Sequence, residues 1–100
     1  MTAHAVFITH RTKPGKRSDA EAVWTKIMKP AVEANPDHLA YVYTLPDDEP
    51  DVIRAFQLYR NADAAMAFLR TPEYLEYEAT VTEHLDGPPQ VASAPAAWVK

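Results

Sequence analysis

Two alternating segments, residues 39–45 and 52–59, are separated only by the acidic, proline-bounded run Pro46-Asp47-Asp48-Glu49-Pro50 and Asp51. A parallel pair needs a crossover of a dozen or more residues, so this link makes the two segments antiparallel neighbours. In the first, Leu39, Tyr41, Tyr43 and Leu45 share a face opposite Ala40, Val42 and Thr44. The period of two marks both as strands.

The flanking chain completes the pattern. Residues 4–12 alternate as a strand, with His4, Val6, Ile8 and His10 on one face and Ala5, Phe7, Thr9 and Arg11 on the other. Lys13-Pro14-Gly15-Lys16 reads as a turn. A helix is expected from Ser18, with Ser18 and Glu21 at capping-box spacing. Its buried stripe is Ala20, Val23, Trp24, Ile27, Met28 and Ala31, and Pro30 should loosen its last turn before Asn35-Pro36-Asp37 ends it.

After the hairpin, Asn61 caps a short helix over 62–70, and Thr71 with Pro72 and Glu73 restarts it to about Leu85. Tyr74, Tyr77, Val81 and Leu85 fall on one side of it. Gly87-Pro88-Pro89 breaks the helix, and residues 91–99 form a last strand that Pro95 assigns to an edge or a bulge. The order β-α-β-β-α-β is the split βαβ arrangement, an α+β, ferredoxin-like fold with helices on one face of an antiparallel sheet. A single domain over residues 1–100 is expected. The bare face of the sheet needs cover that so short a chain does not supply. A homodimer pairing two sheets face to face, a dimeric α+β barrel, would supply it.

Charge and composition exclude several functions. Ten Lys and Arg against fourteen Asp and Glu leave a net charge of −4, and Lys13-Lys16-Arg17 is the one basic cluster, so no nucleic acid is expected. There is no cysteine, which removes disulfides, thiolate chemistry and cysteine-held metals. No apolar run approaches the ~18 residues of a membrane span, and the N-terminus lacks a signal-peptide core, so no membrane partner and a cytoplasmic location are expected. The Ala-, Asp- and Pro-rich composition suggests a GC-rich bacterial genome.

Several segments together resemble the antibiotic biosynthesis monooxygenase family. They are Thr12-Lys13-Pro14-Gly15-Lys16, Lys29-Pro30-Ala31, Glu33-Ala34-Asn35-Pro36, Leu39-Ala40-Tyr41-Val42-Tyr43 and Phe56-Gln57-Leu58-Tyr59-Arg60-Asn61. Phe68-Leu69-Arg70-Thr71-Pro72-Glu73-Tyr74 and Leu85-Asp86-Gly87-Pro88-Pro89-Gln90-Val91 complete the set, in the family's order and spacing. The resemblance implies a homodimer with a pocket between sheet and helices in each subunit. It implies an oxygenase of quinols or polyketide-like aromatics working without flavin, haem or metal. The chain also departs from many members: Gln57 and Tyr59 stand where they have Glu and Trp, and Tyr74 where they have His. Haem degradation does not fit, because strand 1 has no Asn and the second helix lacks that His.

Such an oxygenase, a monooxygenase without cofactor acting on a small aromatic, needs a dry pocket, a proton acceptor and donors for a developing oxyanion. The catalytic candidates are His10, Tyr74 and His84. His10 is either a pocket base or a strand-end histidine in solvent or at the dimer seam. His84, near a helix C-terminus, is either a base or an imidazolium favoured by the dipole. His38, after Pro36-Asp37, reads as surface. Tyr41, Tyr43, Tyr59 and Tyr77 would line a site for an aromatic or serve as core, and Trp24 would stack on a flat substrate or pack the core. Arg54 would orient a phenolate or form an interface salt bridge. The acids show no metal-ligand spacing, so no metal is expected. Alternatives are a ligand-binding or stress-associated dimer without turnover, and an isomerase or lyase that does not use O₂.

Overall fold

The computed structural model describes residues 2–100. Strand β1 (His4–Arg11) leads into helix α1 (Arg17–Val23), a π-helical segment (Trp24–Met28) and α2 (Lys29–Ala34). Strands β2 (His38–Thr44) and β3 (Val52–Tyr59) follow, then α3 (Ala62–Phe68), α4 (Pro72–Val81), a 3₁₀ turn (Thr82–His84) and β4 (Gln90–Pro95). The four strands pair antiparallel throughout in the order β2-β3-β1-β4. This is the expected ferredoxin-like α+β fold, and β4 is an edge strand that ends at Pro95 instead of running to Val99.

The registers define two faces. Toward the helices, His10 pairs with Ile53, Ile8 with Ala55 and Val6 with Gln57 on β1–β3, while Tyr43 pairs with Ala55 and Tyr41 with Gln57 on β2–β3. The core packs there: Ile53 and Tyr59 from the sheet meet Ala20, Met28, Ala65, Phe68, Tyr77 and Val81 from the helices. The other face carries Phe7 and Val42, each 50% exposed, with Phe7 and Phe56 ring centroids 5.3 Å apart.

Helix 1 starts differently from the Ser18 capping box. Lys16 is the cap residue, no side chain caps the turn, and Ser18 sits inside the helix. The turn before it is held from β3's end: the Gly15 N–H donates to the Asp51 carboxylate at 3.0 Å. Arg17 then donates from Nη1 to the carbonyls of Pro46 and Glu49 at 2.9 and 3.1 Å, tying the hairpin loop to the helix. Anchors of this kind take the place of a local cap.

Pro30 does not break the helix. It has no N–H for the Lys26 carbonyl, and its ring crowds the preceding turn. The chain widens instead into the π segment, where the Lys29 N–H reaches back five residues to the Trp24 carbonyl. The apolar stripe survives, with Met28 buried and Trp24, Ile27 and Ala31 packed on the core. The later caps match their sequence signals: Asn61 accepts from the Ala64 N–H at 2.8 Å and Thr71 from the Tyr74 N–H at 3.3 Å.

Strand β2 is shifted from a simple alternation. His38 pairs with Tyr59 and Ala40 with Leu58, so Leu39 is an extra residue, a β-bulge. Leu39 is consequently 49% exposed instead of sharing the inner face with Tyr41 and Tyr43.

Candidate functional site

The helix-facing side of the sheet and the α4 helix enclose a cavity of about 690 Å³. Its sheet wall is Ile8, His10, Tyr41, Tyr43, Ala55, Gln57 and Val91. From the helices it receives Met28, Tyr74, Tyr77, Glu78 and Val81, and Gly87-Pro88-Pro89 forms a rim. Each placement follows from spacing. Tyr41 and Tyr43 share a strand face by the period of two, and Tyr74, Tyr77, Glu78 and Val81 share a helix face at three- and four-residue intervals.

Five of the sequence-selected residues therefore come together here: His10, Tyr41, Tyr43, Tyr74 and Tyr77. Trp24 and Tyr59 stand behind the lining. The Trp24 indole stacks on Tyr43 at 4.2 Å between centroids, and its Nε1 donates to the Tyr41 hydroxyl at 3.1 Å. Two candidates lie elsewhere. Arg54 is on the opposite sheet face, since it alternates with Ile53 and Ala55, and it pairs with Glu49 at 2.6 Å. The ion pair lies within the chain, where an interface salt bridge was expected, and the side chain is not placed beside the cavity. His84 sits in the 3₁₀ turn outside the cavity lining, 3.4 Å from Glu83.

Polar groups in the cavity are unevenly satisfied. His10 Nδ1 and the Tyr43 hydroxyl are buried without a hydrogen-bond partner among the described residues. A buried polar group left unpaired costs about 1–3 kcal/mol, so the cavity holds unmet hydrogen-bonding capacity. Burial lowers the His10 pKa below the usual 6.5, favouring the neutral imidazole. Burial raises the phenols. Tyr41 is pushed up to about 12, against the Trp24 hydrogen bond. Tyr43, Tyr59 and Tyr77 rise for the same reason, and Tyr74 rises through burial and then through the Glu78 carboxylate. The tyrosines are thus neutral donors, and His10 is the neutral acceptor among them.

Beside this wall lies a hydrogen-bonded chain through His38, a residue expected at the surface. The Leu39 bulge turns His38 inward, against Tyr59 and Phe68 with ring centroids at 4.3 and 4.6 Å. The Asp37 N–H donates to Asn35 Oδ1 at 3.2 Å, which orients Asn35 Nδ2 as donor to His38 Nδ1 at 2.9 Å. His38 Nε2–H then donates to Gln57 Oε1 at 2.9 Å, and the Tyr59 hydroxyl donates to the same oxygen at 2.6 Å. The network assigns His38 as the neutral Nε2–H tautomer. Burial lowers its pKa accordingly, opposed by the Gln57 bond and Asp37. Neither His38 nor Gln57 was selected from sequence as a site residue; the signal was a polar Gln57 in phase with Ile53 and Ala55 on a buried strand face.

Among the described residues, no three His, Asp or Glu side chains gather as a metal site, and no helix is long and apolar enough to cross a membrane.

Comparison with known proteins places these features in context. Residues 3–80 match the family model described as antibiotic biosynthesis monooxygenase. No curated protein matches the sequence. Among solved structures, Rv0793 from Mycobacterium tuberculosis is 26% identical, with a TM-score of 0.85 over 99% of this chain and 100% of its own. A candidate antibiotic biosynthesis monooxygenase from Caulobacter crescentus is 22% identical, with a TM-score of 0.89 over 97% of this chain and 92% of its own. A candidate of the same name from Nitrosomonas europaea is 15% identical, with a TM-score of 0.88 over 97% and 92%. The last two speak for the fold alone.

Proposed function

Because the chain belongs to the antibiotic biosynthesis monooxygenase family, we propose that it oxidises a small aromatic, quinol or polyketide-like substrate with O₂ and without a bound cofactor. His10 is the base. The substrate loses a proton to the imidazole, from the acidic CH₂ of an anthrone or the hydroxyl of a quinol or phenol, and the resulting delocalised anion passes one electron to O₂ from a ring carbon that still bears hydrogen. The radical pair recombines as a hydroperoxide, which loses water to leave a ketone. One oxygen atom enters the product and the other leaves as water, and the substrate itself supplies all four electrons, so no external reductant is needed. Tyr43 and Tyr74 serve as donors to the oxyanion. The reading is carried by His10, a neutral imidazole on an aromatic cavity wall with a nitrogen that meets no partner among the described residues.

The test is oxygen uptake against hydroquinones, anthrones and polyketide-like phenols, with metal chelated and no flavin added. Uptake tied to one substrate, and lost in His10→Asn, is the expected result. Absence of uptake across the panel overturns it. A second reading, binding without turnover, is favoured by Tyr74, whose hydroxyl is kept protonated by burial and the Glu78 carboxylate, so that it donates a hydrogen bond and takes up no proton from a substrate. Saturable quenching of tryptophan by the same compounds, with no oxygen consumed, identifies that case.

We also propose that two copies pair through the bare sheet face. Support comes from Phe7 and Val42, half exposed beside Phe56 on an otherwise regular sheet.

A further inference from the structure

We infer that the Gln57 amide nitrogen is the hydrogen-bond donor that selects an oxygen-bearing aromatic in the cavity, and that His38 is the residue that positions it. The inference rests on reading the cavity as the substrate site. Gln57 is 4% exposed and lies on the cavity wall. A buried side-chain amide needs partners for both its oxygen and its nitrogen. Its oxygen has two donors, His38 Nε2–H at 2.9 Å and the Tyr59 hydroxyl at 2.6 Å. The His38 bond disfavours the flipped amide, because a flip would set its N–H groups against the Nε2–H that Asn35 fixes as a donor. The nitrogen is left with its N–H groups outside the network, on a side chain that borders the cavity.

The orientation is set step by step from the backbone. The Asp37 N–H fixes Asn35, Asn35 fixes the His38 tautomer, and His38 fixes Gln57. A side chain whose oxygen is held by two donors, each fixed in turn from the backbone, is rigid, and a rigid donor loses little entropy on binding. The ligand that completes it presents an acceptor oxygen, carbonyl or phenolate, on a flat ring that fits among Tyr41, Tyr43 and Tyr74. The row spacing places this donor away from the base. Gln57 pairs with Val6 and His10 with Ile53, four residues apart along β3, or about 13 Å at the usual strand rise. The donor therefore grips the far end of the ligand from the proton that His10 takes.

The probes are 1,4-naphthoquinone, which offers only acceptor oxygens, and naphthalene, which offers none. Binding is read from Trp24 fluorescence in a Trp98→Phe background, Trp98 being 79% exposed and outside the cavity lining. Gln57→Glu keeps the acceptor for His38 and Tyr59 and removes the donor. It is expected to weaken naphthoquinone about tenfold or more and leave naphthalene unchanged, as loss of one buried hydrogen bond requires. His38→Phe keeps the ring contacts and loses the bond to Gln57, so it should weaken naphthoquinone alone, and His38→Gln should restore it. Unchanged naphthoquinone affinity in Gln57→Glu overturns the inference while leaving the cavity reading in place. Equal weakening of both probes makes Gln57 a packing residue and also overturns it. Failure of both probes to bind the unsubstituted cavity overturns the cavity reading itself. None of these outcomes depends on turnover.

Discussion

Trp24 and Tyr43 are stacked at 4.2 Å, from opposite layers of the fold: one on the π-helical segment, the other on β2. Through Nε1 the same indole holds the Tyr41 hydroxyl. A single side chain thus braces both tyrosines of the cavity's sheet wall from outside it. Trp24→Phe keeps a ring but loses the donor and part of the stack. The expected cost is about 1–2 kcal/mol, a fall in Tm of roughly 4–15 °C, checked by thermal unfolding.

His10 should separate activity from stability. His10→Asn is expected to lower oxygen uptake about 10²–10⁴-fold, the usual contribution of a general base. Thermal unfolding should change little, because the Nδ1 being removed makes no hydrogen bond among the described residues. A large loss of Tm with retained uptake would make His10 a structural residue.

The rate should hold up in mild acid. A base must be unprotonated, and burial lowers the His10 pKa from 6.5. The acid limb of the pH–rate profile should therefore lie below pH 6.5, measured as initial oxygen uptake on the identified substrate. A limb above 6.5 would point to another base.

Stability should fall on acidification. Both His10 and His38 have folded-state pKa values below the ordinary 6.5. Above about 6.5 neither state binds these protons. Between 6.5 and the lowered folded values the unfolded chain binds more, so stability declines as pH drops through that window. Urea unfolding at pH 8, 6.5 and 5.5 checks this, and His38→Gln should flatten the slope.

Pairing of the sheets predicts a sedimenting species near twice the chain mass of 11.2 kDa. Phe7→Glu places a charge on the bare face and should yield the single-chain mass, with the helix-side cavity still binding naphthoquinone. A single-chain mass for the unsubstituted protein at micromolar concentration would overturn the pairing.

Legibility of the fold tracked how local its causes are. Strand β3 runs from Val52 to Tyr59 as its alternation indicates, and the Asn61 and Thr71 caps act through bonds three residues away. The Ser18 capping box failed because the real anchors of α1, Asp51 and the 46–49 carbonyls, lie some thirty residues distant. The tyrosines of the cavity were legible for the same reason as β3: Tyr41 with Tyr43 and Tyr74 with Tyr77 repeat at strand and helix periods. Arg54 could have been placed by parity with Ile53 and Ala55. His38 could not, since a bulge leaves no mark on a pattern of period two, and the Gly87-Pro88-Pro89 rim has no period at all.

That bulge also decides where β2 tolerates a change of length. Leu39 faces neither the cavity nor a partner in the ladder. Deleting it would straighten the pairing and leave His38, Tyr41 and Tyr43 on the side they now occupy. Deleting Tyr41 or Val42 would instead shift the residues between the bulge and the cut by one position, placing Ala40 opposite Gln57 where a phenol now stands. Natural insertions and deletions in this strand should therefore collect at a single joint, and a library that varies loop length rather than residue identity would find it there.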